Sequence, residues 1–165
     1  MDERIIRQVV ESVTEQMGRT RTYEDVTLEM AELLIRAVEQ EAARMGVNVV
    51  IAVTNRGANP VAVHCMDDSF IASYDIALSK AYTCAAVKMS TLTLKSMSQP
   101  GGGLYGIQNT NQGKIVIFGG GIPIFHNRVC IGGLGVSGGS EEQDTALAEY
   151  GEKLIKEGVL WQSTK

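Results

Sequence analysis

The chain has 165 residues, of which 44% are apolar, 21% charged and 5% aromatic, a globular composition at the length of one domain. Its net charge of −4, with Arg19-Thr20-Arg21 as the densest basic run, argues against a nucleic-acid surface, and the longest unbroken apolar stretch, Val49 to Val53, is too short for a membrane-spanning helix. Cys65, Cys84 and Cys130 are widely spaced, with no C-x-x-C pair, and Met1-Asp2-Glu3-Arg4 does not open a secretory signal, so reduced thiols and a cytoplasmic location are expected.

Ile6, Val10, Val13 and Met17 recur at spacings of four, three and four, which predicts an amphipathic helix over residues 1–18, ended by Gly18. Arg19 to Val26 reads as a polar linker. Thr27 is placed to cap a helix with an apolar stripe of Leu28, Ala31, Ile35, Val38, Ala42 and Met45, stopped by Gly46. Val47 to Thr54 reads as a central strand, Asn55 to Pro60 as a turn and Val61 to Met66 as the return strand of a hairpin.

Ser69 is the expected cap of a long helix reaching Met89, whose Ala72, Ala77, Ala81, Ala85 and Ala86 would let it approach a sheet or a sister helix closely. A short helix over Ser90 to Ser98 and an irregular loop over Gln99 to Gly113 follow. Ile115 to Phe118, Ile122 to Phe125 and Val129 to Val136 read as three short strands, with a turn at His126-Asn127-Arg128. Ser140-Glu141-Glu142-Gln143 is a capping box that opens a last helix. This order predicts an α+β fold, a mainly antiparallel sheet of about five strands with helices packed on it.

Thirteen of the 18 glycines lie between Gly101 and Gly139, and three catalytic or nucleotide signatures fall in or near that stretch. Gly133-Leu134-Gly135-Val136-Ser137-Gly138 matches G-x-G-x-x-G, but no strand with an acidic residue follows, and Glu141, Glu142 and Asp144 crowd the helix that a pyrophosphate would need. Gly135-Val136-Ser137-Gly138-Gly139 matches the G-x-S-x-G nucleophile elbow, but no histidine follows Ser137. Gly106 to Lys114 fails the phosphate-loop pattern in both spacing and the residue after the lysine. Structural turns are favoured in each case.

His64 heads a ligand-rich run, His64-Cys65-Met66-Asp67-Asp68, and is either a metal or haem ligand or a satisfied strand histidine. His126, at a hairpin tip, is a second axial candidate or a solvated residue. Lys80, inside the alanine-rich helix, either meets a ligand as a point charge or snorkels to water.

Val49 to Val53 with Gly57, Met66-Asp67, Ser79-Lys80-Ala81-Tyr82-Thr83, Gly120 to Ile124, Ile131 to Gly138, and Asp144 follow one another in an order that resembles the GlcG/HbpS-like haem-binding family, which includes the C-terminal domain of the propanediol-utilisation cobalamin adenosyltransferase. The chain departs from the usual pattern at Asn55 and Cys65, and no histidine precedes His64. The resemblance implies a profilin-like or PAS-like domain over residues 27–165, self-association into homo-oligomers, haem or corrinoid binding, and no established catalytic mechanism. It points to ligand contacts at Lys80, Thr83, Gly120, Gly121, Pro123 and Ser137.

Residues 3–13 are similar to the encapsulation helices of bacterial microcompartment cargo, which implies shell-protein partners for residues 1–17 and a location inside a microcompartment. The leading expectation is therefore an accessory small-ligand protein. The alternatives are a small hydrolase or lyase acting through Ser137 or Lys80, and a non-catalytic oligomeric interaction module.

Overall fold

The computed structural model describes residues 25–158. The expected N-terminal helix and nearly all of its linker lie outside these residues. Helix α1, Leu28–Met45, starts where Thr27 Oγ1 accepts the Met30 N–H at 3.2 Å and ends where Gly46 takes a left-handed conformation at φ 69°. Its buried stripe is Met30, Ala31, Leu34, Ile35, Val38 and Ala42. Leu28, expected on that stripe, is instead 59% exposed.

Strands β1, Val50–Asn55, and β2, Pro60–Cys65, form the expected hairpin. Helix α2, Ala72–Val87, follows, and α3, Thr91–Met97, is capped by Ser90, whose Oγ accepts the Thr93 N–H. Ser69 does not cap α2; the helix entry at Ile71 has no side-chain cap. Turns and two single 3₁₀ turns, Ile107–Asn109 and Asn111–Gly113, lead to β3, Gly121–His126, and β4, Val129–Ser137. Helix α4, Glu141–Lys156, opens on the predicted capping box, formed by Ser140 and Gln143.

The described sheet has four strands in the order β2-β1-β4-β3, every neighbouring pair antiparallel. Ile115 to Phe118 is not the fifth strand, because the free edge of β3 cannot receive it. The Gly121 N–H on that edge is taken by Thr91 Oγ1 at 3.0 Å, and Pro123, two residues on and therefore facing the same way, has no N–H. The segment is instead held on α2 by Thr83, whose hydroxyl accepts the Val116 N–H at 3.0 Å.

Helices α1 and α4 cover one face of the sheet, over Ile51, Val53, Ile122, Ile124, Ile131, Leu134 and Val136. Each fully buried aliphatic side chain there contributes about 1.5–3 kcal/mol. Helix α2 covers the other face, where Ala77 and Ala81 pack on Val50 and Ala52. Its backbone comes so close that a methyl on Gly135 would lie 2.1 Å from the Ala77 carbonyl oxygen, and one on Gly133 would lie 2.2 Å from that of Ala81. The G-x-G repeat that resembles a nucleotide loop is thus a strand surface stripped of side chains so that a helix backbone can lie on it.

Candidate functional site

Of the residues singled out by the sequence, Lys80, Thr83, Gly120, Gly121 and Ser137 gather along the inner side of α2 and where β3, β4 and α4 meet it. Lys80 is fully buried. It does not snorkel: its Nζ donates to the Val136 carbonyl at 2.7 Å and to Asp144 Oδ2 at 2.8 Å, and stands 5.0 Å from the centre of the Phe118 ring. Asp144, in the first turn of α4, also accepts the Gly139 N–H through Oδ1 at 2.9 Å. Burial holds the Lys80 ammonium below the usual lysine range and pushes the Asp144 carboxyl up, and the attraction between the two opposes both shifts.

Gly120 leaves room for this pair. Its φ of 104° is left-handed, and a Cβ there would sit 2.6 Å from Lys80 Nζ and 2.8 Å from Asp144 Cβ. Gly121 is equally confined, 2.8 Å from Cys84 Sγ by the same measure, and burial pushes the Cys84 thiol above the titrating range of a free cysteine. Thr83 Oγ1 donates to the Ser79 carbonyl at 2.7 Å while it grips Val116.

Ser137, at the end of β4, is buried, and its hydroxyl faces that of Ser73 at 3.3 Å. Its described partner is therefore another serine, not a general base of the kind a nucleophile elbow requires. The sequence singled out Lys80 but not its counter-ion. The available signal was Asp144 itself, an acid at the start of the last helix.

His64 lies on the α1 side of β2. Its Nδ1 is 2.8 Å from Glu39 Oε1 and its Nε2 3.5 Å from Glu32 Oε2, so both ring nitrogens face carboxylates of α1. The Glu32 carboxyl lies below the usual range, chiefly through its hydrogen bond to Arg36. His126 ends β3 in register with Val129. The two histidines thus stand on opposite edge strands of the sheet and cannot share one ligand atom within a chain. Among the described residues, no group of three or more His, Cys, Asp and Glu side chains is arranged to hold a metal ion. No described helix is long and apolar enough to cross a membrane.

Two surface cavities adjoin this core. One, of about 260 Å³, lies between α2 and the β1–β2 hairpin and is lined by Thr54, Pro60, Asp75, Leu78, Tyr82 and Lys114, with the Lys114 ammonium 5.6 Å from the centre of the Tyr82 ring. The other, of about 330 Å³, lies between α3 and α4, lined by Leu92, Lys95, Glu141, Glu142 and Thr145 among others. None of Lys80, Thr83, Gly120, Gly121, Pro123 and Ser137 lines either one.

The arrangement has known relatives. A 15.0 kDa protein from the dhaT-dhaS intergenic region of Citrobacter freundii is 44% identical over 133 residues, 81% of this chain and 94% of that protein. The corrinoid adenosyltransferase PduO of the same organism is 38% identical over 148 residues, 88% of this chain and 44% of that enzyme, so this chain spans under half its length. The crystal structure of a PduOC:heme complex superposes with a TM-score of 0.74 at 35% identity, covering 77% of this chain and 92% of that one. The family model for haem-degrading HbpS-like proteins matches residues 26–153, the whole of the fold described above apart from the last turn of α4, and the chain belongs to that HbpS-like family.

Proposed function

We propose that this chain is an accessory haem-binding protein of a small-molecule catabolic pathway. One observation carries this reading: its likeness, along 92% of that chain, to a PduO-type domain crystallised with haem. The chain has two histidines in all, so the candidates for a histidine axial ligand are His64 and His126. Ligation by His64 would require one of its two carboxylate contacts to open.

Haemin titrated into micromolar protein should give a saturable shift of the Soret band. Substitution of the axial histidine, in His64→Ala or His126→Ala, should change that spectrum. No saturable shift would refute haem binding, and a shift untouched by both substitutions would refute a histidine ligand. A corrinoid titrated in the same way tests the second tetrapyrrole, which the likeness to PduO supports.

The similarity of residues 3–13 to encapsulation helices supports attachment of this protein to a microcompartment shell. Residues 1–17 fused to a fluorescent reporter should form puncta in compartment-forming cells, and diffuse fluorescence would refute that attachment.

A further inference from the structure

The cavity between α2 and the β1–β2 hairpin holds an acid and a base that do not neutralise each other. Asp75, Leu78, Ser79 and Tyr82, three, one and three residues apart, line it from one face of α2, and Pro60 and Lys114 line it from other segments. Among the described residues neither Asp75 nor Lys114 forms an ion pair. The Lys114 ammonium stands over the Tyr82 ring instead, 5.6 Å from its centre. In the cavity between α3 and α4, by contrast, Lys95 already donates to Glu141 at 2.6 Å.

The two charges are held in place by one helix. The Thr83 hydroxyl donates to the Lys114 carbonyl at 3.3 Å and accepts the Val116 N–H at 3.0 Å, which ties the lysine's segment to α2. The Asn111 side chain donates to the Tyr82 hydroxyl at 3.1 Å, which ties the preceding turn to the same helix. Asp75 is itself on α2, so packing sets the separation of acid and base. Thr83, expected as a ligand contact, thereby acts as a positioning residue.

Size and charge together define the occupant. About 260 Å³ is below the roughly 300–1,000 Å³ of pockets that take drug-sized ligands, so no tetrapyrrole enters, and the inference stands apart from the haem reading. A carboxylate and an ammonium across one hollow complement a molecule that brings the opposite charges at its two ends. We propose that this cavity binds a small zwitterion, with its ammonium on Asp75, its carboxylate on Lys114 and its aliphatic chain against Leu78, Pro60 and the Tyr82 ring.

The test is amide NMR on the full, isotopically labelled chain without haemin. The probes are glycine, γ-aminobutyrate and ε-aminocaproate, which differ in the distance between their charges. At least one should shift the signals of Asp75, Tyr82 and Lys114 saturably, with a Kd of about 1 mM. Butyrate and butylamine, each with a single charge, should bind about tenfold more weakly or worse, and added salt should weaken the zwitterion. Asp75→Asn and Lys114→Met, both at exposed positions, should each raise its Kd about tenfold or more and leave the circular dichroism spectrum unchanged. No saturable shift with any of the three zwitterions, at concentrations well above that Kd, overturns the proposal. So does equal binding of butyrate or butylamine, or a zwitterion affinity that either substitution leaves unchanged.

Discussion

Replacement of Lys80 by methionine separates a ligand-binding lysine from an internal fastener. The methionine keeps nearly the same length and apolar stem but removes the ammonium. The Asp144 carboxylate, 6% exposed as a side chain, then loses the partner at 2.8 Å, and the Val136 carbonyl loses its donor at 2.7 Å. Breaking one half of a buried ion pair costs about 3–5 kcal/mol, because the surviving charge stays buried and uncompensated. For a domain of this size that is a fall in Tm of roughly 6–20 °C. Urea denaturation followed by circular dichroism, at one protein concentration, pH 7 and without ligand, measures it. Addition of Asp144→Asn to the variant removes the orphaned charge but keeps an acceptor for the Gly139 N–H, so the double variant should be more stable than Lys80→Met alone. A Lys80→Met protein within about 1 kcal/mol of wild type, or a double variant whose loss is the sum of the two singles, would refute the fastener and return Lys80 to a role at a ligand.

Gly135→Ala puts a methyl 2.1 Å from the Ala77 carbonyl oxygen, backbone against backbone, and should cost about 3 kcal/mol by urea denaturation, while Gly103→Ala, with open space around it, should be nearly neutral. Glu141 accepts hydrogen bonds from Lys95 Nζ at 2.6 Å and from the Gly119 N–H at 2.8 Å, and Lys95 above all holds its carboxyl below the usual glutamate range. A carboxyl depressed in the folded state adds stability in full above its unfolded pKa and loses it as the pH falls through the folded one. The stability gap between wild type and Glu141→Gln should therefore be constant near pH 7, under about 1 kcal/mol at this partly exposed site, and should begin to narrow as the pH falls below about 4.5, closing once it has passed the lower folded value. A gap that does not narrow at all between about pH 7 and the acid end of the folded range would contradict the assignment.

Signals carried within a few residues were legible in the sequence. The Thr27 cap, the Gly46 stop and the Ser140–Gln143 capping box are satisfied inside one turn of helix, so their residue types suffice to place them. The expected stripe of α1 holds at Ala31, Ile35, Val38 and Ala42, all buried, and differs at its flank, where Leu28 is exposed and Met30 and Leu34 are buried instead. Leu28 fits the helical period of Ala31 and Ile35 as well as Leu34 does, and only the position of the sheet decides which flank of the stripe is covered. Ile115 to Phe118 has the β-branched composition of a strand, but a strand also needs an edge to pair with, and Pro123 and Thr91 had already closed the nearest one. Lys80 could not be resolved locally, because its partner Asp144 is 64 residues further along the chain.

The glycine-rich region and the lysine are two consequences of one packing decision. Once Gly133 and Gly135 bring α2 onto the backbone of β4, no side-chain layer remains between helix and strand to bury apolar volume, and the contact relies on alanines and main-chain proximity. Such a contact is close but thin. A long side chain on that face of α2 has nowhere to lie except past the end of the strand, toward the first turn of α4. There it needs a polar terminus to satisfy Val136 and Asp144, and Gly120 must be bare to admit it. The buried pair thereby pins α2 to both β4 and α4 at the point where the alanine layer gives least hold. Because α2 buries mostly small residues inward, its larger apolar side chains, Ile71, Leu78 and Tyr82, are left to the outer face.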